Sequence, residues 1–290
     1  MSKIFNSEFE KINIEKIIND LKEKGYFSFN KAVTLDALNS IETETNKSKS
    51  NLNVNKISGV YNESQFFLTN LLAQSKTCYN YITSNLVTDI SEKFIGEKFT
   101  ISSLRYYETY GNHYMQWHTD NKSGTEFRKD LGIIFILYIS DVYDGQFQYI
   151  EGSHKWSEFE LKNNYDDELI DKNHKEKIIN FKGPKGTIII YNTRGIHRAK
   201  IVKDKNFVRK SIFLQVGKNQ KSVPIILNSS YLKNIDDRLK MYLGFGIEDS
   251  NVIYTKTSLK NLPLNKNIYK LFIEYFAQRF KKFIKNLLNN

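Results

Sequence analysis

Between residues 7 and 24 apolar Phe9, Ile12, Ile14, Ile17, Ile18 and Leu21 recur at near-helical intervals, with Ser7 placed to cap the first turn and Gly25 to end the last. The spacing predicts an opening helix. Residues 26–29 then predict a short strand and 34–45 a second helix, and the polar run NKSKSNLNVNK at 46–56 predicts a loop. A third helical stretch is predicted over 63–94 on Phe66, Phe67, Leu71, Leu72, Tyr79, Ile82, Leu86 and Ile90, with a break near Lys76.

From Phe99 the pattern changes period. FTISSLRYYETY alternates, LGIIFILYI is continuously apolar, and QFQYI, GTIIIY and SIFLQV are short runs rich in β-branched and aromatic residues. Turn residues stand at Asp144-Gly145, Gly183-Pro184 and Lys185-Gly186, a spacing that suits a sandwich or jelly roll rather than parallel βαβ units. The expected class is α+β with a mainly β core. No internal repeat is present. Residues 1–217 are expected to form the main domain and 218–290 a C-terminal extension. The extension ends in an amphipathic helix over 267–288, with Ile268, Leu271, Phe272, Tyr275, Phe276, Phe280, Phe283, Ile284 and Leu287 on one face.

Composition narrows the class. At 40% hydrophobic with 14 Gly and 3 Pro, the chain has enough apolar surface for a core and is neither disordered nor collagen-like. The single cysteine, Cys78, excludes an internal disulfide and a thiolate zinc cluster and fits a reducing cytoplasm. The first twenty residues lack the apolar core of a secretory signal, and no run is long and apolar enough to span a bilayer. A formal charge of +11 attracts anions, so an anionic small molecule is an expected partner; the lysines are spread along the chain rather than clustered, which argues against dedicated nucleic-acid binding. Lys270, Arg279, Lys281, Lys282 and Lys285 on the terminal helix admit peripheral membrane contact, but its apolar face more ordinarily packs on its own domain or on a second copy in a homodimer.

The chemistry concentrates in QWHTD, residues 116–120. Residues two apart on a strand share a face, so His118 and Asp120 offer an imidazole nitrogen and a carboxylate oxygen to one ion. His197, shortly after the strand GTIIIY, is the candidate third ligand of a 2-His-1-carboxylate site for ferrous iron with open positions for co-substrate and O2. Twelve residues on, Arg209 shares a strand face with Ser211, and a guanidinium beside a hydroxyl suits a carboxylate. The alternative for each is ordinary: a structural histidine, a surface arginine.

With these residues in place the sequence resembles the iron(II) and 2-oxoglutarate-dependent oxygenases, and within them the phytanoyl-CoA dioxygenase-like group, over roughly residues 26–216. The resemblance rests on the GYFSF opening, His118-x-Asp120, the segment DGQFQYIEGSHK at 144–155, His197 in GIHRA, and Arg209. It implies a double-stranded β-helix (jelly roll, cupin-like) with N-terminal helices packed on it, iron held by His118, Asp120 and His197, and the distal carboxylate of 2-oxoglutarate on Arg209. Tyr107 and Arg105 are candidate contacts to 2-oxoglutarate. Gly145-Gln146 departs from the group, which often has a second small residue there. His154 is expected to order its turn through hydrogen bonds. His113 and His174 have no partner predictable from spacing. Tyr106, Tyr110, Trp117 and Trp156 line the pocket or fill the core. Asp120, the residue that related halogenases replace, favours hydroxylation of a small-molecule substrate with release of succinate and CO2. Two other classes stay open: a β-sandwich binding protein with a structural His/Asp cluster engaging an anionic partner, and a cupin-type metal enzyme without 2-oxoglutarate.

Overall fold

In this computed structural model, the structure describes residues 3–50, 60–62, 65–68, 71–120, 132–157, 165–218, 228, 231 and 235–244, with positions 277, 280, 284, 287 and 288. Among the described residues ten strands form two antiparallel sheets. β1 (Tyr26–Phe29), β2 (Val60–Asn62), β3 (Gln65–Leu68), β4 (Phe99–Thr109), β5 (Gly132–Tyr138), β8 (Ile188–Asn192) and β10 (Arg209–Lys218) make the larger, in the order β1-β8-β5-β10-β4-β3-β2. β7 (Ile178–Gly183), β6 (Val142–Ile150) and β9 (His197–Ala199) make the smaller, which faces it. This is the jelly-roll core of an α+β protein.

The continuous apolar run of β5 follows from burial on both faces. Ile133, Phe135 and Leu137 join Ile188, Ile190, Ile212, Leu214 and Val216 in a core covered by helices, while Ile134, Ile136 and Tyr138 meet Phe147, Tyr149 and Phe181 of the smaller sheet. Each such aliphatic side chain contributes about 1.5–3 kcal/mol by leaving water. The helices on the outer face are α1 (Ser7–Glu10), α2 (Ile14–Glu23), α3 (Leu35–Ser50), α4 (Leu71–Gln74), α5 (Lys76–Ile82) and α6 (Asn85–Ile95). α7 (Asp167–Asn173) lies by the smaller sheet, and α8 (Asp237–Tyr242) returns to the main core, where Tyr242 packs on Phe99 and its hydroxyl donates to the Ile82 carbonyl at 3.0 Å.

Four expectations change. The opening helix is two, because Asn6 caps α1 and Asn13 caps α2 through side-chain oxygens that accept from Phe9 and Glu15 N–H. An asparagine offers the backbone a capping partner in place of the helical one. The helix expected over 63–94 begins as strand β3 paired with β4, since an apolar run containing two phenylalanines also suits an extended segment; Ser75 and Ser84 then start α5 and α6 as N-caps. α3 runs on to Ser50, so the polar stretch after Thr45 opens as helix, and 51–56 lies outside the described residues. Asp144-Gly145 lies inside β6: Gly145 has φ +59, the pairing with β7 shifts register there, and a Cβ would stand 2.3 Å from Val202. It is a bulge rather than a turn between strands. The Gly183–Gly186 turn between β7 and β8 stands as expected.

The terminal helix lies mostly outside the described residues. Ala277, Phe280, Ile284, Leu287 and Leu288 are helical and exposed. No helix among the described residues is long and apolar enough to cross a membrane.

Candidate metal centre

His118 and His197 face one another across a single antiparallel bridge that continues the smaller sheet beyond β9. Each backbone N–H donates to the other residue's carbonyl at 2.9 Å, which brings the two rings to a centroid separation of 4.4 Å. Asp120 follows on the same face, its Oδ2 3.3 Å from His197 Nε2. One ligand atom from each of the three lies within 4.8 Å of the others. First-row divalent ions bind nitrogen and oxygen at about 2.0–2.2 Å, so neighbouring ligands of one ion stand about 3 Å apart, and the cluster needs only small side-chain adjustments to close on an ion.

The protonation states suit that use. His118 Nδ1 is 2.7 Å from the Gln116 carbonyl and His197 Nδ1 is 3.0 Å from the Gly195 carbonyl. A carbonyl can only accept, so each Nδ1 carries a proton and each Nε2 is the ring atom turned to the cluster, the one an ion would take. Burial, reinforced by the neighbouring His197, lowers the His118 pKa to about 4, and His118 is neutral at physiological pH. For Asp120 burial works in the opposite direction, but His197, His118 and the Tyr191 hydroxyl outweigh it and hold the carboxyl below its ordinary range. Tyr191 donates to Asp120 Oδ2 at 3.0 Å.

The register of the larger sheet orders the side chains beside this cluster. Across β4, β10, β5 and β8, Thr109 stands by Arg209; Tyr107 by Ser211 and Tyr138; Arg105 by Phe213, Ile136 and Ile189; and Ser103 by Gln215, Ile134 and Tyr191. Leu104, Tyr106, Ile212 and Leu214 belong to the helix-side core, so alternation turns Arg105, Tyr107, Arg209 and Ser211 toward the space between the sheets. Arg209 is buried. Its Nη1 donates to the Gly145 carbonyl in the β6 bulge and its Nη2 to Thr109 Oγ1 at 3.3 Å, but its Nε has no hydrogen-bond partner, and neither has the fully buried Ser211 Oγ. A buried guanidinium that meets only neutral acceptors is costly unless an anion completes it. The unsatisfied donors, facing inward on one strand, fit a carboxylate.

Sequence reasoning missed the support around the cluster. Arg198, next to His197, donates through Nε to Gln148 Oε1 at 2.7 Å, through Nη1 to Asp167 Oδ2 at 2.7 Å and through Nη2 to Asp171 Oδ1 at 3.0 Å. Its guanidinium lies 4.3 Å from the ring centre of Trp117, next to His118. Trp117 in turn donates from its backbone N–H to Asp167 and from Nε1 to Asp171. α7 thereby clasps both ligand-bearing segments. Tyr191 was also missed, although a tyrosine closing the aliphatic run of GTIIIY signals a buried hydroxyl in need of a partner.

The other histidines and aromatics take structural places. His154 Nε2 is 2.9 Å from the Lys22 carbonyl, tying the turn after β6 to α2 as expected. His174 packs on Trp156, and His113 is buried near Arg209. Tyr106 and Trp117 are fully buried in core rather than lining a pocket; the Tyr106 and Tyr110 hydroxyls both donate to Glu108.

Solved oxygenases share this architecture. The carbocyclase SnoK from nogalamycin biosynthesis, described as non-heme and alpha-ketoglutarate-dependent, superposes with a TM-score of 0.57 at 12% identity, over 72% of this chain and 85% of that one. HygX from Streptomyces hygroscopicus, solved with nickel and 2-oxoglutarate bound, gives 0.56 at 12% identity over 73% and 90%. EctD from S. alaskensis with bound Fe gives 0.56 at 17% identity over 75% and 82%. At these identities the likeness is one of fold. No curated protein sequence matches significantly. The profile of Phytanoyl-CoA dioxygenase (PhyH) matches residues 21–205, from the end of α2 to just before β10, so Arg209 rests on the structure and not on the match. That span takes in both halves of the His–Asp–His cluster and well over half of the sequence, and the chain belongs to the phytanoyl-CoA dioxygenase family of iron and 2-oxoglutarate oxygenases.

Proposed function

We propose that this protein is a ferrous iron and 2-oxoglutarate-dependent dioxygenase that hydroxylates a small-molecule substrate and releases succinate and CO2. In this reading His118 Nε2, His197 Nε2 and the Asp120 carboxylate hold the iron. Arg209 receives the distal carboxylate of 2-oxoglutarate, with Ser211 Oγ and the Tyr107 hydroxyl beside it. The catalytic unit is residues 1–217, and 218–290 is an extension. When bound, iron with 2-oxoglutarate and O2 supplies the oxidant for a C–H bond. The chain's own part is positional. The Gln116 and Gly195 carbonyls fix the two imidazoles, Tyr191 orients Asp120, and the apolar walls of both sheets keep water from the buried end at Arg209.

The observation that carries this reading is the pair of unsatisfied buried donors, Arg209 Nε and Ser211 Oγ, on the strand face turned toward the space that holds the His–Asp–His cluster. A cupin-type metal site without 2-oxoglutarate has no need of an internal carboxylate clamp, and a structural His/Asp cluster has no need of a buried arginine. The test is incubation with ferrous iron and 2-oxoglutarate, with succinate measured by mass. Slow uncoupled succinate release that His118→Ala abolishes is expected. Absence of succinate, together with no thermal stabilisation by Mn2+ plus N-oxalylglycine, an inert isostere of 2-oxoglutarate, would overturn the assignment.

A further inference from the structure

Among the described residues of β4 and β10, Arg105 and Arg209 face the space between the sheets, and the proposed function uses only the second. Arg105 lies on β4, four residues along the strand from Thr109, the partner of Arg209, so the two backbones are displaced by about 13 Å along the strand direction at about 3.3 Å per residue. The row of Arg105 across the sheet, with Ile136 and Ile189, is next to the row of Tyr191, whose hydroxyl donates to Asp120. Burial opposes the charge of Arg105 while Tyr107 and the Asp120 carboxylate favour it, and its Nη1 donates to the Tyr107 hydroxyl at 3.0 Å. It is half-buried, and among the described residues no carboxylate stands within ion-pair distance of it.

A guanidinium carries five N–H donors and keeps its charge at any physiological pH. Held half out of water with a neutral phenol as its hydrogen-bonding neighbour, it favours an incoming anion. Both acidic ends of 2-oxoglutarate are already committed, one to Arg209 and the other to the metal. Resting on that reading, we propose that Arg105 is the anchor for a carboxylate or phosphate group of the substrate, and that the substrate is an anionic small molecule. The anchor lies one row of the sheet from the tyrosine that holds Asp120, so an acid clamped at Arg105 would present a carbon near its charged group for oxidation. The surplus of positive charge draws such a substrate in.

The test uses full-length protein loaded with Mn2+ and N-oxalylglycine, which engage the cluster and Arg209 and leave Arg105 open. Acetate and inorganic phosphate are the probes, followed by the paramagnetic broadening of the acetate methyl proton line and the phosphate 31P line. Saturable broadening is expected in the wild type. Arg105→Gln should weaken the apparent affinity by about 10–100-fold, the loss of a charge-assisted pair, and Arg105→Lys by less. Both variants should keep Mn2+ and N-oxalylglycine affinity within about threefold, a margin far below the loss expected for the anion. Broadening that survives Arg105→Gln, or none in the wild type, overturns the proposal. So does a tenfold loss of N-oxalylglycine affinity in the variant, which would make Arg105 a co-substrate ligand, or a matching loss of Mn2+ affinity, which would make it a support for Asp120. Failure of Mn2+ or N-oxalylglycine to bind the wild type would instead count against the oxygenase reading itself.

Discussion

Replacing Arg198 with alanine removes the tie between the metal-ligand segments and α7, and the cost can be worked from its contacts. Its side chain is 10% exposed, and its partners Asp167 and Asp171 are 20% and 46% exposed. The half-exposed Asp171 pair, screened by water, contributes about 0.5–1 kcal/mol. The better buried Asp167 keeps its bonds from the Trp117 backbone and Tyr114 but loses its counter-charge, about 1.5–2 kcal/mol. The guanidinium packed on Trp117 adds about 1 kcal/mol. The contacts are coupled, so the expected total is about 3 kcal/mol rather than a strict sum. Urea unfolding of metal-free protein should show this as a lower midpoint with the slope unchanged. Asp171→Asn should cost about 1 kcal/mol or less in the same assay. If Arg198→Ala costs under 1 kcal/mol, or Asp171→Asn costs as much, the network does not support the ligand segments in the way described.

Tyr191→Phe removes the hydroxyl that holds Asp120 Oδ2 while keeping the ring in the core, so Mn2+ affinity measured by electron paramagnetic resonance should fall about tenfold with little change in stability; unchanged affinity would refute the orienting role. His113 gives a pH signature. Burial, with a smaller push from Arg209, lowers its pKa to about 4 in the folded chain, against about 6.5 when unfolded. The unfolded chain therefore binds the extra proton first as pH falls, and about 3 kcal/mol of stability present above pH 6.5 is lost on the way down to pH 4. In metal-free protein His113→Gln should flatten the stability profile across that window, and a slope equal to wild type would count against a neutral buried His113.

Much of the β core was legible because burial writes itself into the pattern. β5 reads as an unbroken apolar run because both of its faces are covered, and β4 alternates because one face meets helices and the other carries Arg105, Tyr107 and Thr109. His118 and Asp120 were legible as a pair because strand geometry fixes side-chain direction at a spacing of two. The failures have physical causes too. Asn6 and Asn13 end local helical order by offering side-chain caps, an event that apolar periodicity does not register. Phe67 stands four residues before Leu71 and so fits helical spacing, and only the pairing of 65–68 with β4, some forty residues on, makes that segment a strand. The clasp of Arg198 on Asp167 and Asp171 joins residues from separate elements whose approach no local rule encodes. Arg209 was legible as a candidate, but its tie to the Gly145 carbonyl, which gives the β6 bulge a purpose, was not.

The rung between His118 and His197 joins positions about eighty residues apart through two main-chain bonds. An ion seated on both imidazoles would turn that rung into a crosslink, and closing so long a loop removes more freedom from the unfolded chain than closing a short one. The supply of iron would then set how long each molecule resists unfolding and proteolysis, and a cell short of the metal would lose the protein itself and not merely its turnover.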